Sequence, residues 1–120
     1  MTNSIKQSIL MFGDYDVTGD YESLNAYRLK CTELFANKVL RFRMPGSAAL
    51  QLAWLAMGRV DISLSLSNLA WDFQGGVLLV REAGGLVYDC NGKEHELDSM
   101  YTIASNPHLK SCVLELLPKP

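Results

Sequence analysis

Cysteine is scarce in this chain, and its spacing excludes two chemistries at once. The three residues, Cys31, Cys90 and Cys112, are odd in number, widely separated and without a C-x-x-C pair. That pattern argues against a disulfide framework and against a cysteine zinc site. Free, buried thiols in a reducing compartment are expected instead. Histidine is scarcer still. His95 and His108 are not at metal-ligand spacing and have no serine or cysteine partner in a nucleophile arrangement, so both are expected at the surface. Positive charge is not in excess: 11 Lys and Arg stand against 13 Asp and Glu, for a net charge of −2. A nucleic-acid-binding face or attraction to anionic membranes is therefore not expected. No apolar run approaches the roughly 18 residues of a membrane span, and the opening "MTNSIKQ" has no signal-peptide order. Walker-type phosphate loops, G-x-S-x-G elbows and H-E-x-x-H helices are missing. The expectation is a soluble, cytoplasmic protein.

What is present is a globular composition. Hydrophobic residues make up 48% and charged residues 20% of the 120. A chain of this length reads as one domain, residues 1–120, or as one lobe of a larger protein, and buries about two-thirds of its unfolded surface.

The pattern along the chain alternates. "SIKQSILMFG" reads as a strand, buried where Ile9, Leu10, Met11 and Phe12 run together. "DYDVTGD" is a turn-rich link. "YESLNAYRLKCTELFANK" has helical spacing, with Leu24, Tyr27, Cys31, Leu34 and Phe35 on one face and Asp20 as N-cap. Val39 to Arg43 alternates as a short strand. Pro45 and Gly46 break it, Ser47 caps, Ala48 to Met57 forms an apolar helix, and Gly58 suits its end. "VDISLSL" puts Val60, Ile62, Leu64 and Leu66 on one face and Ser63 and Ser65 on the other. "WDFQGGVLLVREAG" is a further helix closed by Gly84-Gly85. Gly75 and Gly76 each cost it about 1 kcal/mol relative to Ala, which implies close packing there. "LVYDC" and "YTIAS" are strands around an "NGK" turn, and Asn106-Pro107 opens a last helix. This order predicts an α/β layered fold, a mostly parallel or mixed sheet covered by helices.

In such folds ligands collect at strand ends and helix starts, where N–H groups are unpaired and the dipole favours anions. Two starts qualify, Gly46-Ser47-Ala48 and Trp71-Asp72. Each follows a strand, which places both on one edge of the sheet. From the residues alone Asp72 has two readings. As a first-turn acid it contributes about 0.3–1 kcal/mol to its helix. As a hard oxygen ligand it helps hold Mg²⁺ with further carboxylates, waters and phosphate. Asp61 and Glu82 make no cluster with it and read as solvated or paired, and Trp71 reads as a packing residue.

The linked blocks "RMPGSAALQLAWLAMGRVD" and "WDFQGGVLLVREAGGLVYDCNG" closely resemble the C-terminal half of the inositol monophosphatase family, in the family's order and at its distances. The resemblance implies the C-terminal lobe of a Mg²⁺-dependent, lithium-sensitive phosphomonoesterase. It implies that Asp72 is a metal ligand near the leaving-group oxygen and that Gly46, Ser47 and Ala48 approach the substrate. Arg43 and Trp71 then take supporting roles. Ser65 falls where inositol-specific members carry a glutamate that contacts substrate hydroxyls, and a hydroxyl cannot replace its charge-assisted bonds. Gln51 stands at a position where an acid is common, and Gln74-Gly75-Gly76 replaces Ala-Ala-Gly. Family members are about twice this length. Their Gly-Glu-Glu and Asp-Pro-x-Asp-Gly-Thr segments, which supply most metal ligands, have no counterpart here. The resemblance thus implies an incomplete Mg²⁺ site and a small phosphorylated substrate. It also implies little activity for the chain alone, with self-association or packing against an absent N-terminal lobe. The alternative is a non-catalytic binding or assembly module on the same fold.

Overall fold

The computed structural model describes residues 2–15, 21–66, 74–97, 99 and 101–118. Its elements are β1 (Ile9–Phe12), α1 (Tyr21–Ala36), β2 (Arg41–Arg43), α2 (Ala48–Ala56), β3 (Ile62–Ser65), α3 (Gln74–Glu82), β4 (Leu86–Tyr88), β5 (Thr102–Ser105) and α4 (Lys110–Leu116). The strands form one sheet in the order β2-β1-β3-β5-β4. β1 runs parallel to both β2 and β3, while β5 is antiparallel to β3 and to β4. The sheet is mixed and the fold is α/β, as the alternation predicts.

Chirality sets the layers. From β1 the chain crosses outward through α1 to β2, then returns past β1 through α2 to β3. Parallel crossovers are right-handed, and the two cross in opposite directions, so α1 and α2 lie on opposite faces of the sheet. The packing agrees. Leu10, Phe12, Ile62, Leu64 and Leu66 meet Cys31 and Phe35 of α1 and Val113 of α4 in one cluster. Met11, Val87 and Ala104 meet Leu52 and Leu55 of α2 and Val77 and Val80 of α3 in the other. Alternation along each strand therefore sorts residues between two cores, not between core and water. This is why Ser63 and Ser65 are buried along with their apolar neighbours.

Several local boundaries depart from the pattern, each for a visible reason. Residues Ile5–Gln7 form a 3₁₀ turn instead of extending the first strand, because both the hydroxyl and the N–H of Ser8 bond to the Ile5 carbonyl at 2.7 and 3.2 Å. β2 begins at Arg41, not Val39. The Val39 N–H returns to the Phe35 carbonyl at 3.0 Å and closes α1. Val60 packs with the α2 and α3 side chains, so it does not share a face with Ile62. α4 is helical only from Lys110. Asn106 nonetheless caps the turn before it, its Oδ1 accepting from His108 N at 2.9 Å and Leu109 N at 3.2 Å. Asp20 lies outside the described residues.

The α2–α3 contact explains one glycine and not the other. A Cβ on Gly76 would sit 2.7 Å from Leu52 Cβ, whereas one on Gly75 would meet nothing within 4 Å. Only Gly76 is required by packing. Gly58, with φ +77°, ends α2 in the left-handed region that a side chain disfavours.

His95 is buried, against the expectation of a surface residue. It is 7% exposed, with Nε2 2.8 Å from Thr102 Oγ1. Its N–H donates to Val87 O at 3.0 Å, and its carbonyl accepts from Arg81 Nη2 at 2.8 Å. The hairpin turn that carries it folds back on β4 and β5 and takes the ring inward. His108 is exposed.

Two outcomes follow for stability. Gly76→Ala loses about 1–3 kcal/mol to overpacking against a helix gain of about 1 kcal/mol, so urea titration should show net destabilisation. Gly75→Ala should show a gain approaching about 1 kcal/mol. Burial and the Arg81 charge lower the His95 pKa below its ordinary 6.5. The folded state therefore keeps this ring neutral where the unfolded chain protonates it. That stability is intact above 6.5 and is lost as pH falls from there through the lowered folded value. Melting temperature between pH 7 and about 5 should fall more steeply in the parent than in His95→Gln. Parallel slopes would refute this.

Candidate functional site at the strand ends

β1 and β3 are adjacent and parallel, yet the chain leaves β1 toward α1 on one face and β3 toward α3 on the other. Such a reversal opens a crevice beyond the carboxyl ends of the strands, where α/β folds collect ligands. The residues at this edge come from four elements. Gly13 follows β1 and donates its N–H to Leu64 O at 2.8 Å. Asp14 is next, and its Oδ2 lies 3.7 Å from where a Gly46 Cβ would stand. Gly46 has φ +81°, a conformation a side chain strains, and it turns the chain from β2 into α2. Ser47 is the extended N-cap residue, its Oγ accepting from Leu50 N at 3.2 Å. The first N–H groups of α2, from Ala48 and Ala49, have no carbonyl one turn back to bond.

The sequence places Gly46, Ser47 and Ala48 at such an edge, and they are there. Gly46 and Ser47 are exposed and Ala48 is half-buried. Ser65 lies close by in sequence and sheet but is only 3% exposed, and its hydroxyl is 3.4 Å from Gln51 Nε2. Trp71 and Asp72 lie outside the described residues. Arg43 is exposed and lines an apolar groove of about 440 Å³ with Met44, Trp54 and Arg59, beside the edge strand β2. Asp61 accepts from Ile9 N at 2.8 Å at the far, amino-terminal end of β1, which accounts for it as a paired structural acid. Glu82 is exposed.

Beneath the α2 N-terminus is a buried polar knot. Gln51 is fully buried. Its Nε2 is 3.0 Å from Ser63 Oγ, 3.4 Å from Met11 O and 3.5 Å from Leu64 O, besides its contact with Ser65. Two backbone carbonyls can only accept, so they fix the amide with its nitrogen toward the strands. Gln51 Oε1 has no partner among the described residues. On the other face Arg28 is 4% exposed and reaches the end of β3, its Nη2 donating to Leu66 O at 2.9 Å.

Asp14 and Arg28 escaped the sequence reading. Asp14 stood in a stretch read as a link, though an acid directly after a buried strand is a strand-end signal. Arg28 interrupts the apolar stripe of Leu24, Cys31 and Phe35 at helical spacing, and a charge on a core-facing stripe is itself the signal. The cysteines are free as expected, but only Cys31 is buried, Cys90 and Cys112 being half-buried. Burial pushes the Cys31 thiol up to about 12. It stays protonated at neutral pH and is no nucleophile.

Among the described residues no three His, Cys, Asp or Glu side chains gather closely enough to hold a metal. Asp14 is the acid those residues bring to this edge, and Mg²⁺ commonly combines one or two carboxylates with waters and substrate phosphate. Among the described residues this one carboxylate does not by itself make such a site.

Comparison with known proteins is consistent across sequence and structure. Residues 7–119 match the model of the inositol monophosphatase family. Inositol monophosphatase 1 of Solanum lycopersicum is 42% identical over 81 residues, 67% of this chain and 30% of that protein. The Nus factor SuhB of Escherichia coli K12 is 44% identical over 78 residues, 65% of this chain and 29% of its own. Among solved structures, an IMPase of Thermotoga maritima superposes with a TM-score of 0.84 at 30% identity, covering 96% of this chain and 42% of that one. The extragenic suppressor protein suhB of Bartonella henselae gives 0.87 at 29% identity, covering 98% and 44%. The chain thus spans less than half the length of the solved relatives it matches. By sequence and by fold, it belongs to the inositol monophosphatase family.

Proposed function

We propose that this chain is the C-terminal lobe of a magnesium-dependent, cytoplasmic phosphomonoesterase, and that it forms the substrate-facing wall for a small phosphorylated alcohol. The carrying observation is the crevice at the β1 and β3 ends. There an α2 N-terminus with free N–H groups stands beside the Asp14 carboxylate in a chain of this family. The Ala48 and Ala49 N–H groups and the helix dipole suit a phosphate or a developing alkoxide. Gly46 leaves the backbone approachable. Asp72, by its place in the family motif, is the metal ligand that this lobe contributes, with Trp71 in a supporting role. When bound, Mg²⁺ lowers the pKa of a coordinated water and stabilises the departing oxygen. The chain's own residues bind and orient the ester against that metal. The motifs that supply most ligands are not in this chain, so it is proposed to have little or no turnover alone.

The exposed Met57, Leu78 and Leu79 of the α2–α3 layer, 62%, 58% and 51% accessible, support packing of that layer against a complementary lobe or a second copy. A second reading, a non-catalytic module on the same fold, is favoured by one observation. Ser65 and Gln51, both neutral, bond to each other at positions where the family resemblance implies acids. Metal dependence separates the two readings.

With a generic phosphomonoester and Mg²⁺, the isolated chain should hydrolyse at the background rate. Mixed with a separately produced N-terminal lobe of a relative, it should gain Mg²⁺-dependent turnover. Asp72→Ala should reduce that turnover on the order of a thousandfold, the loss of several kcal/mol of metal-based stabilisation. Full turnover by the isolated chain overturns the partial-site reading. Absence of any metal response in the mixture favours the module.

A further inference from the structure

The "NGK" turn between the last two strands holds a reactive pair that the phosphatase reading does not use. Alone among the asparagines of the chain, Asn91 is followed by glycine. A backbone nitrogen can attack the side-chain amide of the preceding asparagine and close a five-membered imide. A Cβ on the following residue crowds that approach, and glycine has none. Asn106 precedes Pro107, whose nitrogen carries no hydrogen, and Asn37 precedes the long side chain of Lys38.

The geometry of the turn separates the two reacting groups. Asn91 is exposed, so water and base reach its amide. The attacking atom, the Gly92 nitrogen, is occupied. Its N–H donates to Asp89 O at 3.0 Å, and it must lose that proton to act as a nucleophile. Asp89 braces the turn a second way. Its Oδ1 accepts from Asn91 N at 2.9 Å and from Lys93 N at 3.1 Å, and its own N–H donates to Lys93 O at 2.9 Å. Gly92 is held in the left-handed region, with φ +85°. It lies against α4, where a Cβ on it would stand 2.9 Å from Leu114 Cδ1. The folded turn exposes the leaving group and withholds the nucleophile.

We propose that Asn91 is a spontaneous modification site gated by its own hairpin turn, held as asparagine while the Gly92 N–H is bonded to Asp89 O and converted to aspartate and isoaspartate when the turn opens. Water is the co-reactant. Base removes the Gly92 amide proton, the nitrogen bonds to Asn91 Cγ, and the Cγ–Nδ2 bond breaks to release ammonia, which takes its third hydrogen from solvent. Water then opens the imide. Attack at Cγ gives aspartate, and attack at the Asn91 backbone carbonyl gives isoaspartate. Both products add a negative charge to a turn that already holds Asp89. Isoaspartate also routes the main chain through the side chain and lengthens it by one atom, which displaces Gly92 from Asp89 O and from Leu114.

The test is ageing of the 120-residue chain in mildly alkaline buffer, followed by peptide mapping that reads a mass rise of about 1 Da and separates aspartyl from isoaspartyl forms. Parent, Asp89→Ala, Asp89→Asn and Asn91→Gln are compared with a synthetic peptide of residues 86–96. Asn91 should convert about tenfold or more slowly in the folded chain than in the peptide, because reaction waits on local opening. Asp89→Ala should speed conversion about tenfold by removing two bonds of the brace. Asp89→Asn, whose side-chain oxygen still accepts, should speed it much less, and Asn91→Gln should abolish it. Chain enriched in isoaspartate should melt below Asn91→Asp, which adds the charge without lengthening the chain. Equal rates in chain and peptide overturn the gate. A folded chain that never converts while the peptide converts fully overturns the modification site. Asp89→Asn as fast as Asp89→Ala assigns the effect to charge and overturns the bonded brace. If Asp89→Ala does not fold, the parent decides: urea below its unfolding transition should already raise the Asn91 rate, and a rate that rises only with global unfolding refutes the local gate.

Discussion

A side chain in the first turns of α2 ties three elements to one point. Gln51 is buried between α2 and the sheet, and its amide nitrogen is the donor available to Ser63, Ser65 and two strand carbonyls. Buried hydroxyls and carbonyls without partners cost about 1–3 kcal/mol each, so this single amide decides how closely α2 approaches β1 and β3. Everything at the candidate site inherits that distance. Ser47 caps the same helix one turn earlier, Gly46 turns into it, and Asp14 faces Gly46 across the crevice. The Leu64 carbonyl, which also accepts from Gly13, joins the knot to the strand end that carries Asp14.

The second constraint is topological. The chain leaves the parallel strands β1 and β3 toward opposite faces, which puts α1 and α3 on opposite sides of the sheet and leaves the strand ends open between them. One wall of that opening presents helix N–H groups and a small-residue backbone, with the Asp14 carboxylate beside Gly46.

Helix and strand types, their order and the α/β class were legible in the sequence because each element has a clear period and clear stops. The Ser47 cap and the Gly58 end were equally legible, since cap geometry is local. Boundaries failed where a hydrogen bond to a neighbour decided them, as with Val39 returning to Phe35 and Ser8 binding Ile5. His95 was misread because its burial depends on a hairpin folding back onto Thr102, which no local pattern encodes. Gly75 and Gly76 look alike in the sequence, and only the position of Leu52 tells them apart.

The same division holds for the site. By itself the sequence determined the family motif, the helix start at Gly46-Ser47-Ala48, the neutral residues at positions 51 and 65, and Asp72 as the motif's acid. These are properties of residue type and spacing. Only the tertiary structure decided that the Gln51 amide reaches Ser63 and Ser65, that Asp14 belongs to the crevice, and that Arg28 is buried at the end of β3. The physical reason is that these are contacts between residues from 12 to 40 positions apart, set by right-handed crossovers and by the need to pair buried polar groups. Neither leaves a periodic trace in the chain.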